Sequence, residues 1–106
     1  MTKGIRLKDS SILAIQDLFR KHFKSEDHIW LFGSRSNLDA KGGDIDLYIE
    51  TTIPNYDIAI DKKFVFLADL RSRIGDQQID IVLRCLSSNS ILSIYDVAKS
   101  EGVLLV

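Results

Sequence analysis

Cysteine and proline each occur once in the 106 residues, as Cys85 and Pro54. A lone cysteine excludes an intramolecular disulfide framework. No apolar run approaches the roughly 18 residues of a membrane span, and the longest, such as 64–68, are core-sized. A strong charge of either sign is also missing: the formal net charge is −1. The chain as a whole therefore lacks the positive field of a protein that grips nucleic acid by its phosphates, and no direct nucleic-acid binding is expected. The first eleven residues, MTKGIRLKDSS, hold no apolar stretch resembling a signal peptide, so the expected compartment is the cytoplasm. With 45% apolar residues, a chain of this length fills one compact core, and 1–106 reads as a single domain without repeats or linkers.

Ile12, Ile15, Leu18, Phe19, His22 and Phe23 recur at three- and four-residue steps and predict a helix over 9–22. Asp9 or Ser10 is suited to cap it, and Arg20, Lys21 and Lys24 lie near its C-terminal end, where cations are favoured. The segment SEDH then turns into a first strand, 28–32. His22 and His28 sit at element ends without a third ligand nearby, which assigns them structural roles. After a connector containing Pro54, the longest helical pattern runs from Tyr56 or Asp57 to Ile74 and stops at Gly75. Its stripe reads Ile60, Phe64, Leu67, Leu70 or Arg71, and Ile74, with Val65 and Ala68 widening it. A strand over 77–83 follows. A last helix, capped by Ser88 or Ser90 and carrying Ile91, Leu92, Ile94, Tyr95, Val97 and Ala98, ends at Gly102. The terminal VLLV is expected to add an edge strand or to pack on the core.

The stretch from Trp30 to Glu50, WLFGSRSNLDAKGGDIDLYIE, concentrates the candidate chemistry. In DIDLYIE the apolar Ile45, Leu47 and Ile49 alternate with Asp44, Asp46 and Tyr48, the pattern of a half-buried strand. Alternation sets Asp44 and Asp46 on one face with Cα atoms roughly 6.5–7 Å apart, within reach of shared divalent cations. Gly33 and Ser34 follow the first strand directly. They read either as an ordinary strand-to-helix turn or as a phosphate cradle, in which the glycine admits a close ligand, the hydroxyl donates to an oxygen and helix-start amides favour anions. Arg35 and Lys41 are the only cations of this neighbourhood, each a triphosphate contact or a solvated loop charge. In QQIDIVL, Asp80 has the same phase as Asp44 and Asp46. If the two strands are neighbours, three carboxylates converge at one end of a sheet, although aspartate is depleted in strands.

The ordered set Gly33-Ser34, nine spacer residues, Asp44-Ile45-Asp46 and then Asp80 on a later strand resembles the minimal nucleotidyltransferases of the DNA polymerase beta-like superfamily, over about residues 28–83. The resemblance implies an α/β (α+β) fold: a small mixed sheet of three to four strands with helices packed on one face. It implies Mg-dependent transfer of AMP from ATP to a hydroxyl. Asp44, Asp46 and Asp80 would be the catalytic and metal-binding residues for two Mg²⁺ ions, and Gly33, Ser34 and Arg35 would bind the nucleotide. The chain is short beside superfamily enzymes with their own acceptor-binding domain, so a helical partner protein is implied. Members of this size resemble antitoxins of HEPN-domain toxins, some of which add AMP to a tyrosine of the toxin. The alternatives are a small-molecule or antibiotic nucleotidyltransferase served by a substrate-binding subunit, and a non-catalytic antitoxin that only holds its partner.

Overall fold

The computed structural model describes residues 7–33, 45–75, 77–87 and 93–106. Its elements, in chain order, are α1 (Asp9–His22), β1 (His28–Phe32), β2 (Ile45–Thr51), α2 (Tyr56–Ile74), β3 (Ile79–Cys85), α3 (Ser93–Glu101) and β4 (Val103–Leu104). The four strands form one mixed sheet in the order β3-β2-β1-β4. β1 runs antiparallel to both β2 and β4, whereas β2 and β3 are parallel and joined through α2. Among the described residues, three helices on a four-stranded mixed sheet are compatible with a small α+β nucleotidyltransferase-like fold.

Alternation along the strands divides the sheet into two faces. Ile29, Leu31, Ile45, Leu47, Ile49 and Ile79 point to one side and are buried with Ile12, Ile15, Leu18, Phe19, Phe66 and Leu70 of α1 and α2. Phe19 stacks on Phe23 with centroids 4.8 Å apart, and both meet the Phe66 ring edge-on. The opposite face carries Trp30, Tyr48 and Val82, and α3 covers it with Tyr95 and Ala98. Helices on a single face therefore describe α1 and α2 but not α3. The reason lies in Tyr48: its phase sends a large ring away from the main core, and that ring is fully buried only because α3 lies over it.

Several local expectations change in the same way. The N-cap of α1 is Lys8, which makes no side-chain cap, and Asp9 falls inside the first turn. Asn55 caps α2 by accepting from the amides of Asp57 and Ile58. Gly75 ends that helix as expected. The buried stripe of α2 is Ala59, Phe66 and Leu70, while Phe64 and Val65 are more than half exposed. β3 begins and ends two residues later than its sequence pattern suggests. The terminal VLLV contributes β4, an edge strand, and the buried Leu105. The cap of α3 lies outside the described residues.

Both histidines make structural contacts. His22 Nε2 donates to Asp69 Oδ2 at 2.6 Å and ties α1 to α2, and His28 Nδ1 donates to the Val106 carbonyl at 3.0 Å. Asp27 is fully buried and accepts four hydrogen bonds, from the Lys24 amide, the Thr51 hydroxyl, and the Thr52 amide and hydroxyl. It thereby pins the turn before β1 to the end of β2. Cys85 is buried nearby, and burial followed by the Asp27 charge pushes its thiol up, away from the reactive thiolate.

Two outcomes test this scaffold. Asp27→Ala leaves four donors without their acceptor, of which the Thr51 hydroxyl is buried, and should lower stability by about 1–3 kcal/mol in urea unfolding. Asp69 is held below the usual carboxylate range, chiefly by the hydrogen bond from His22 and then by the Lys21 charge. Its contribution is complete above the unfolded carboxyl value, about pH 4, and is lost as pH falls through the lower folded value. The stability of His22→Ala should accordingly fall less steeply than that of the parent below about pH 4.

Candidate active site

The parallel pairing of β2 and β3 sets Asp46 directly beside Asp80. In-register neighbours on adjacent strands lie about 4.8 Å apart at the backbone and project to the same face, so the two carboxylates share one small region of the sheet. This region lies at the N-terminal end of β2, next to the end of β1, because Phe32 is the antiparallel partner of Asp46. Asp46 is half-buried on a central strand, and Asp80 is exposed on the outermost strand. One carboxylate is therefore fixed by its surroundings, and the other is open to an incoming molecule.

Gly33 closes the site from β1. Its φ is +74°, a left-handed conformation that suits glycine, and a Cβ there would overlap Asp46 Oδ2 and come within 2.9 Å of Asp46 Cγ. The strand-end glycine thus makes room for the carboxylate, where the sequence left it open between an ordinary turn and a phosphate cradle. Asp44, Ser34 and Arg35, with the loop 36–43, lie outside the described residues. Of the six site residues expected from sequence, the structure brings together Gly33, Asp46 and Asp80. Among the described residues no group of three potential metal ligands is assembled.

A polar cluster that sequence reasoning missed continues along the same face of β2. Tyr48 donates to Glu50 Oε2 at 2.6 Å, Lys99 Nζ approaches the same oxygen at 3.2 Å, and Arg84 lies 3.7 Å from it. Glu50 is buried, so the two cations offset the loss of water around its charge. The Lys99 ammonium also stands 5.3 Å from the Trp30 ring centroid, and Arg84 stands 5.1 Å from that of Tyr95. Burial, and then the bond to Glu50, raise the Tyr48 hydroxyl far above its ordinary value, so it remains a donor at all physiological pH. The available signal was the phase of Glu50 and Arg84, register partners across β2 and β3, but Lys99 joins them only through the docking of α3.

This cluster fastens α3 to the strand that carries Asp46. It places fixed donors and charges two and four residues from that carboxylate, without taking part in the pairing with Asp80. Gly33→Ala should strain the turn and displace the Asp46 carboxylate, at a cost of about 1–3 kcal/mol in unfolding free energy. Gly33→Ser should cost at least as much, since any Cβ meets the same obstacle. No protein-family model matches this chain, and no curated protein matches it either.

Proposed function

We propose that the protein is a Mg-dependent nucleotidyltransferase that moves AMP from ATP to a hydroxyl, with a tyrosine of a helical HEPN-type partner as the acceptor, in an antitoxin role. The observation that carries this reading is the in-register placement of Asp46 beside Asp80, with Gly33 shaped around the Asp46 carboxylate. Two like charges on adjacent strands suit oxygen-ligated divalent cations, and the hard carboxylate donor set fits Mg²⁺. Asp46 and Asp80, joined by Asp44, would hold the metal ions, which when bound with ATP neutralise the triphosphate and stabilise the entering and leaving oxygens.

The chain's own groups have separate tasks in this reading. Gly33, Ser34 and Arg35 hold the phosphates, through backbone amide, hydroxyl and guanidinium respectively. Asp80, the exposed member of the pair, takes the proton from the acceptor hydroxyl. The hydroxyl oxygen then bonds to the α-phosphorus as its bond to the β-phosphate oxygen breaks, and pyrophosphate leaves. Asp46 keeps its position through its seat on the central strand and the glycine beside it. Asp80 is exposed on the face of the sheet that carries Asp46, which leaves room for a macromolecular acceptor.

Incubation with labelled ATP, Mg²⁺ and the candidate partner tests the proposal. Label should appear on the partner, and Asp46→Ala should lower the rate at least about a hundredfold while partner binding persists. Asp80→Asn should lower the rate about 10²–10⁴-fold with ATP binding retained, and should flatten the acid limb of the pH–rate profile. Label on a small molecule, or no labelling with intact partner binding, would overturn the reading.

A further inference from the structure

β3 is the outermost strand of the sheet, and among the described residues nothing pairs with its second edge. The Ile45 amide bonds to the Gln78 carbonyl, and the Leu86 amide bonds to the Thr51 carbonyl. Even-numbered residues therefore turn their backbone groups toward β2, while Ile81 and Leu83 turn theirs outward. A seven-residue strand, four of whose residues (Ile79, Ile81, Val82 and Leu83) are β-branched or aliphatic, with a row of donors and acceptors unpaired among the described residues, forms a template for another strand.

The flank of α2 above this edge is largely apolar, with Lys63 and Arg71 interspersed and the Lys63 ammonium 4.7 Å from the Phe64 ring centroid. Phe66 meets Phe19 and Phe23 of α1, and Asp69 and Arg73 contact His22 and Asp17 of α1, which marks one side of α2 as facing that helix. At 100° per residue, Ile60, Leu67 and Ile74 lie about 100° round from Phe66 on the other side, with Phe64 beyond them. α1 bonds to the β4 end of the sheet through Gln16 and the Leu105 carbonyl, and α2 packs against β3. The flank carrying Ile60, Phe64, Leu67 and Ile74 thus overhangs the open edge. These residues belong to the stripe read from the sequence, yet Phe64 is 56% exposed and the others are only partly buried. Ile81 and Leu83 beneath them are likewise half-covered.

We propose that this edge is completed by a second copy of the chain, through antiparallel β3–β3 pairing about a two-fold axis at Val82. An isologous contact requires a self-complementary strand, and β3 has that property. With Val82 on the axis, Ile81 of each copy exchanges both backbone hydrogen bonds with Leu83 of the other. Asp80 then falls opposite Arg84 at a non-hydrogen-bonded position, where side chains approach most closely. Opposite charges meet across the strand pair, where Arg84 is also held by Glu50 of its own chain. On the other face the two α2 flanks come together and cover the Phe64 stripe. The pairing sets Asp80 beside Arg84 of the second copy on the face that it shares with Asp46, so an acceptor reaches Asp80 from that face and not across the strand edge. It holds independently of nucleotide transfer.

Sedimentation equilibrium on the full chain should show a dimer at micromolar concentration. Phe64→Glu, at an exposed position that folding tolerates, should weaken it about tenfold or more, with an unchanged circular dichroism spectrum. Val82→Cys should form an intermolecular disulfide rapidly under mild oxidation, because its copies face each other at a spacing that a disulfide spans. Ile94→Cys on α3 should not, and the buried native Cys85 should stay silent in both. A monomer up to about 0.1 mM would overturn the inference. So would a dimer indifferent to Phe64→Glu in which Val82→Cys does not cross-link, or closure of the edge only by a different protein.

Discussion

The parallel in-register pairing of β2 with β3 is the constraint on which the rest of this molecule depends. A one-residue slip would send Asp80 into the core and bring Ile79 or Ile81 out beside Asp46, so the apolar alternation of both strands resists it. The same pairing aligns Glu50 with Arg84 and Tyr48 with Val82. One choice of register therefore sets the acidic pair at one end of the face, the buried ion cluster at the other and an apolar patch between them for α3 to cover.

Two kinds of charge arrangement share this face. Glu50 is buried, with Tyr48, Lys99 and Arg84 gathered round one carboxylate oxygen, an arrangement that fixes helix to sheet and has little reason to move. Asp46 and Asp80 put two acids side by side close to a strand-end glycine, and the more exposed acid stands on the outer strand. The first is a buried structural network, in which only the Arg84 Nε is left without a hydrogen-bond partner among the described residues. The second is an acidic surface of the kind that binds cations, and it is the basis of the proposed transfer chemistry.

α2 shows how a helix pattern can be read correctly in extent and wrongly in direction. Its span, Tyr56–Ile74, follows from periodicity and a terminal glycine. Its sequence holds two apolar stripes about 100° apart, and the packing of α1 buries Ala59, Phe66 and Leu70 while leaving Phe64 outside. Nothing in the helix alone ranks one stripe above the other, because the choice depends on which side the neighbouring helix occupies. An exposed apolar flank above an open strand edge is the result.

Local chemistry alone determined the extents of α1, β1 and α2, the phase of Asp46 and Asp80 within their strands, and the structural roles of both histidines, since each depends on spacing and on nearby residues. The adjacency of β2 and β3, the fit of Gly33 around Asp46, the four-fold acceptance by Asp27, and the docking of α3 over Tyr48 were decided only by the tertiary structure. These contacts join residues far apart in the chain. The free energy that selects them comes from burying a common core, to which no single segment has access.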